Sequence, residues 1–459
     1  MVYRTSYPSL LAAFALLMSS MPDTMVSAAP HCGLVSPSVS AAVAQPTAIN
    51  QATTTNQTST STNGTLGEDV VATGWYAGWY GDKLPPSQIS WSKYNSLTFA
   101  FATTTPDPSV LALDDQSAAL LPTFVTEAHN NNVKALLSVG GWGGSLYYST
   151  AVGNAQNRTA FVKAIVGLAN QYNLDGIDFD WEYPGKQGIG CNAISPSDSA
   201  NFLSFLQELR QDPVGAKLSL TAAVGITPFA GSDGNPMTDV SAFASQLDHI
   251  AIMNYDIYGS FSSTVGPNAP LDDTCATVKS GSATSAIKAW TSAGFPASKI
   301  ALGVAAYGHS FFVDKANAFD STNTTELALF PAFDKEKQPL GDSDVPGAPP
   351  STDQCGNPVG VAGTFDFVGM ITNGFLDVNG NAAPGIDYRF DECSQTPFVY
   401  NPTNQTMISY DDAKSFAAKG QFINDNNLAG FAVWHIAADS NNILLDSIID
   451  AMGLEEDCD

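Results

Sequence analysis

In Leu174-Asp175-Gly176-Ile177-Asp178-Phe179-Asp180-Trp181-Glu182-Tyr183-Pro184, three acids recur at every second position. Side chains alternate faces along an extended strand, so Asp178, Asp180 and Glu182 share one face, with Ile177, Phe179 and Trp181 on the other. Same-face neighbours on a strand lie about 7 Å apart, and three carboxyls enclosed by protein at that spacing cannot all ionise at neutral pH. At least one is expected to keep its proton. A carboxylic acid held protonated beside carboxylates is what general acid cleavage of a glycosidic bond requires. Two other readings compete. A solvated acidic strand would not need the apolar back, and a carboxylate cage for Mg²⁺ or Ca²⁺ would usually draw its ligands from several strand ends or from a loop.

An acidic face of this kind needs a scaffold that opens only at a strand end. From Val70 onward, β-branched or apolar runs alternate with helix-like stretches: Val70–Tyr76, Ser96–Ala102, Lys134–Gly140, Leu174–Glu182, Lys217–Ala223, His249–Tyr255, Lys299–Ala305 and Leu428–Trp434. Between them lie amphipathic patterns such as Ala160–Tyr172 and Ser197–Gln211. Eight strands alternating with helices predict an α/β fold, the (β/α)8 TIM barrel, whose catalytic groups sit at the C-terminal strand ends. Glu182 ends the fourth run. After Tyr307-Gly308, roughly 100 residues pass before the helix-like Asp411–Asn424, far more than an ordinary βα loop. That stretch, about 309–407, is read as a small α+β insertion between strand seven and its helix.

The ends of the chain and its composition bound the rest. Arg4, an apolar run from Leu10 to Met18 and Val26-Ser27-Ala28 form the pattern of a secretory signal peptide over residues 1–28, too short to span a bilayer. Residues 29–69, rich in Ser and Thr, lack sustained apolar periodicity and are expected to form a flexible segment ahead of a catalytic unit over 70–459. Eighteen Lys and Arg against 44 Asp and Glu give a formal charge of -26, which disfavours nucleic acid and anionic membranes as partners. Six cysteines and five N-x-Ser/Thr sequons, at Asn56, Asn63, Asn157, Asn323 and Asn404, agree with a secreted, extracellular protein. The five histidines show no metal-ligand spacing, so neither metal nor cofactor is expected.

The residues from Asp175 to Glu182 resemble the D-x-x-D-x-D-x-E signature of family 18 glycoside hydrolases, the chitinases. Ser138-Val139-Gly140-Gly141-Trp142 resembles that family's S-x-G-G motif, and Met253-Asn254-Tyr255-Asp256 its M-x-Y-D. The resemblance implies a retaining, substrate-assisted mechanism. Glu182 is then the general acid and base, Asp180 orients the substrate's 2-acetamido group, Asp178 shares a proton with Asp180, and Tyr255 holds the acetamido group in line. It further implies sugar contacts from Trp75, Phe101, Gly141, Trp142, Met253, Asp256 and Trp434, with Trp79 stacking further out. Asp175, outside the alternation, is read as structural. His309 and Phe261 stand where many relatives carry Arg and Trp.

With that fold, the expected disulfides are Cys355 with Cys393 inside the insertion and Cys191 with Cys275 between two loops on one face, leaving Cys32 with Cys458. The implied partners are chitin and chitooligosaccharides, handled by a monomer. A chitin-binding lectin on the same barrel and an endo-β-N-acetylglucosaminidase acting on N-glycans are the alternatives. Lectin-like relatives commonly lack the acid that Glu182 supplies here.

Overall fold

The computed structural model describes residues 32–35 and 70–458. The predicted leader, and all of the Ser/Thr-rich segment except 32–35, lie outside the described residues. Eight parallel strands, β1 (Val71–Ala77), β2 (Ser96–Thr104), β3 (Lys134–Gly140), β4 (Gly176–Asp180), β5 (Ser219–Val224), β6 (His249–Ile252), β7 (Ile300–Ala305) and β8 (Gly430–Trp434), each pair with the next. β8 returns to β1, with Gly430 opposite Val71, and closes the barrel. The fourth and sixth strands stop short of their predicted ends. Glu182 and Tyr255 therefore stand in the loops that follow, where side chains can turn toward the barrel mouth.

Both faces of each strand are covered, which is why runs such as Ile300–Ala305 are apolar throughout and fully buried. Outward residues, among them Leu97, Phe99, Ile177 and Phe179, join the main core with the helices. Inward positions carry small residues instead: Ala100, Ala223, Ala251, Ala301 and Ala432 pack around Trp75. These short side chains leave room in the barrel mouth for the large polar and aromatic groups described below. The helix Ala155–Tyr172 shows how the outer layer is specified. Asn154 caps it by accepting from the Asn157 amide, Phe161, Val162, Ile165 and Ala169 form its buried stripe, and Asn173 ends it in the left-handed region at φ 54°.

The insertion is a five-stranded antiparallel sheet in the spatial order Thr364–Asp366, Tyr307–Phe312, Thr406–Ser409, Thr396–Asn401 and Asp387–Asp391, with a short helix Phe367–Thr372. It has its own core of Phe311, Val313, Phe398, Tyr400 and Met407. The chain returns to the barrel at the helix Ala413–Asp425, where fully buried Lys419 and Asp411 form an ion pair at 2.5 Å.

The disulfides differ from expectation. Cys191 bonds Cys355 and Cys275 bonds Cys393, with Cα atoms 5.6 and 6.3 Å apart. Cys355 rides on an arm of the insertion that reaches the loop after β4. Cys393 sits in the turn between Asp387–Asp391 and Thr396–Asn401, which packs on the loop after β6 through the Leu271 amide and Ser394 carbonyl. Each bridge thus ties the insertion to a barrel loop. Cys32–Val35, placed by sequence in the flexible segment, pairs as a strand with Glu455–Cys458, and Cys32 lies opposite Cys458 in the register.

Candidate active site

Parity along β4 aims Asp178 and Asp180 into the barrel, and both are buried, at 2% and 5% exposure. Asp178 is the deeper. Its Oδ2 accepts from Trp75 Nε1 at 3.1 Å and Ser138 Oγ at 2.8 Å, and its Oδ1 accepts from Thr221 Oγ1 at 2.7 Å. Ser138 and Thr221 are its register neighbours on β3 and β5, so three strands converge on one carboxyl. Burial raises its pKa, and the three hydrogen bonds oppose that rise.

Asp180 has less help. Its Oδ1 is buried and receives no hydrogen bond from a neighbouring donor. Burial first, then the charges of Glu182 and Asp178, push its pKa well above the usual carboxylate range. Glu182, just beyond the strand, is also buried. Its backbone is fixed by Ser145 Oγ, which accepts from the Glu182 amide at 3.0 Å, and by Asn192 Nδ2, which donates to its carbonyl at 3.2 Å. Burial raises the Glu182 carboxyl to about 7, against hydrogen bonding by Tyr183 and with support from the Asp256 charge.

Gly140 permits the close approach of β3 to this acidic strand. It sits at φ +111°, and a Cβ there would fall 2.0 Å from the Asp180 carbonyl oxygen. The next residue, Gly141 at φ +79°, abuts the Phe101 ring. These positions require glycine.

Asp180 and Glu182 open into a cleft of about 980 Å³, lined by Trp75, Trp79, Phe101, Trp142, Met253, Tyr255, Asp256 and Trp434, among others. Trp434 is the hub of its aromatic floor, 6.0 Å from Trp75, 5.7 Å from Phe101 and 6.3 Å from Trp79 between ring centres. Trp79 and Trp142 are each 52% exposed, offering open ring faces. Tyr255 stands 6.1 Å from Tyr307, edge to face. Asp256 takes φ +56°, which turns its side chain out of strand parity and into the cleft. There its Oδ1 accepts from Tyr307 OH and pairs with His309 Nε2, both at 2.7 Å. The enclosing cleft would raise its pKa even though the side chain is half exposed, but His309 and Tyr307 outweigh that and hold the carboxyl below the usual range.

Every site residue predicted from the sequence borders this cleft, except Asp178, which lies beneath its floor. Asp175 is elsewhere, holding His129 Nε2 and the Ala135 amide, each at 2.8 Å, at the N-terminal side of the barrel. Phe261 is 65% exposed and does not line the cleft. Four contributions escaped the sequence: the Trp75, Ser138 and Thr221 donors on Asp178, and Tyr183 beside Glu182. Counting inward positions on the strands flanking β4 would have found Ser138 and Thr221. Tyr183 carries no signal beyond its place next to the acid.

A closed (β/α)8 barrel with stacked carboxyls at the C-terminal end of β4, opening on an aromatic-lined cleft, defines a glycoside hydrolase. Residues 71–439 match the model of "Glycosyl hydrolases family 18", and the chain belongs to that family. It is 51% identical over 390 residues to a "chitinase-like effector" of Moniliophthora roreri, an alignment covering 84% of this chain and 94% of the relative. A "chitinase-like effector" of Moniliophthora perniciosa is 48% identical, with 86% and 90% covered. Among solved structures, the chitinase RmChi1 from Rhizomucor miehei superposes with a TM-score of 0.73 at 31% identity, covering 83% of this chain and 99% of that one.

Proposed function

We propose that the protein hydrolyses β-1,4-linked N-acetylglucosamine polymers, with retention and with the substrate's own acetamido oxygen as nucleophile. One observation carries this: a buried carboxyl with its pKa raised to about 7, Glu182, stands at the mouth of the cleft beside Asp180, a second buried acid whose pKa is also raised. Glu182 gives its proton to the leaving oxygen as the acetamido oxygen closes on the anomeric carbon. Asp180 orients the acetamido group and meets its developing charge, and Tyr255 donates its hydroxyl to the same group. Asp178 shares a proton with Asp180. Three donors already hold Asp178 while Asp180 Oδ1 has none, so the shared proton rests on Asp180 until substrate arrives. Glu182, now a carboxylate, then takes a proton from the incoming water. Trp434, Trp75 and Phe101 form the floor beneath the sugar at the cut.

The leader pattern and the Cys191–Cys355 and Cys275–Cys393 bonds support secretion; among the described residues no helix is long and apolar enough to cross a membrane. Chitin binding without cleavage is the second reading, favoured by the "chitinase-like effector" names of the two Moniliophthora relatives. Reducing-end release from colloidal chitin, measured beside binding, separates the two. Tight binding with no release sinks the hydrolytic reading. With chitin hexamer, an initial α anomer in the product would sink the retaining route.

A further inference from the structure

The insertion leaves the barrel from β7, yet part of it comes down on the far side of the mouth. Residues 342–364 form an arm whose two ends are tied together: the Asp342 amide donates to the Thr364 carbonyl at 3.1 Å, and Asp344 accepts from the Ala362 and Gly363 amides. Its base is held by the loops after β1 and β8. There Asp366 accepts from Tyr80 OH at 2.6 Å and lies 3.7 Å from His435 Nε2. Its tip is fastened elsewhere, with Cys355 bonded to Cys191 in the loop after β4 and Gln354 Nε2 donating to the Gly143 carbonyl after β3.

The tip is stiffened from within, since Asp353 accepts from the Cys355 and Asn357 amides at 2.8 and 2.9 Å. Base and tip thus stand over β8–β1 and over β3–β4, with β2 and its Phe101 between them. Gln354 lines the cleft together with Trp142. A hydrogen bond alone would let such an arm lift and fall. A covalent bond to the opposite rim does not.

We propose that this arm is a fixed bridge over the cleft, and that the Cys191–Cys355 bond and Gln354 decide which form of substrate is accepted. A polysaccharide chain enters by a free end and passes beneath the arm; it cannot be laid in from the side. The proposal rests on the reading of the cleft as a chitin site, but its test is separable from cleavage. A chitin oligomer with bulky groups on both ends is excluded from the wild type, whereas the same oligomer unblocked binds. Equal affinity for the two overturns the bridge, even in a preparation that cleaves nothing. Failure of the wild type to bind the unblocked oligomer would instead sink the reading of the cleft, and the bridge with it.

The Cys191→Ser/Cys355→Ser double variant is expected to admit the blocked oligomer. On soluble, partly acetylated chitosan it should lose viscosity several-fold faster per new reducing end than the wild type, with turnover of a small chitobiose glycoside kept. Identical viscosity loss per end in the two proteins overturns the bridge. Should the double variant fail to fold, the wild-type comparison of blocked and unblocked oligomers still decides.

Discussion

Glu182 owes its raised pKa to burial beside other acids, and this displacement lets a carboxyl donate a proton near neutrality. The protonated form is the competent one, so hydrolysis of a chitooligosaccharide should fall as pH rises through about 7, with the alkaline limb assigned to this residue. Glu182→Gln removes the donor while leaving shape and the aromatic floor in place. It should bind chitin oligomers normally and turn them over about 10² to 10⁴ times more slowly, and near-normal initial rates would remove Glu182 from the role. The same group leaves a signature in stability that runs in the same pH direction. The folded state holds this proton more tightly than the unfolded chain does, so the associated stability is full below about pH 4.5 and is lost as pH rises through about 7. Glu182→Gln should therefore be more stable than wild type in alkaline denaturant melts, by up to about 3 kcal/mol, and no more stable in acid ones.

At the level of elements, strand positions were legible because parallel barrel strands are buried on both faces and read as apolar runs. All eight fell where the runs stand, while the ends of β4 and β6 did not. Where a strand gives way to a loop is decided by contacts such as Ser145 on the Glu182 amide, from the loop after β3, and Asn268 on the Asp256 amide, from further along the loop after β6, neither of which shows in the strand's own apolar pattern. The three donors on Asp178 depend on register between strands, which periodicity within one strand does not encode. Disulfide pairing failed for a related reason, since nothing local tells Cys355 that its arm reaches the loop after β4. One element junction carries its own prediction. Lys419, fully buried in the helix Ala413–Asp425, neutralises Asp411 where the insertion rejoins the barrel. Lys419→Met should cost about 3 to 5 kcal/mol by stranding a buried charge, and adding Asp411→Asn should recover most of it. A single variant as stable as wild type in urea titrations would show that the pair does not hold this junction.

For the whole molecule, the formal charge is -26, while the floor of the cleft is aromatic. Affinity for neutral chitooligosaccharides should hardly change with ionic strength, whereas affinity for partly deacetylated, cationic chitosan should weaken as salt screens the attraction. Parallel salt titrations of both ligands check this, and equal slopes would place the charge too far from the bound chain to matter. The Cys191–Cys355 and Cys275–Cys393 bonds have a consequence for the chain as a length of string. Cys191, Cys275, Cys355 and Cys393 are joined first to third and second to fourth, so the two covalent loops overlap. A protease that cuts once anywhere between Cys191 and Cys393 separates nothing: every such cut lies inside at least one loop, and the halves stay joined. Nicked protein should run as one band on non-reducing gels and as two after reduction, and the cleft can outlast a cut in the insertion.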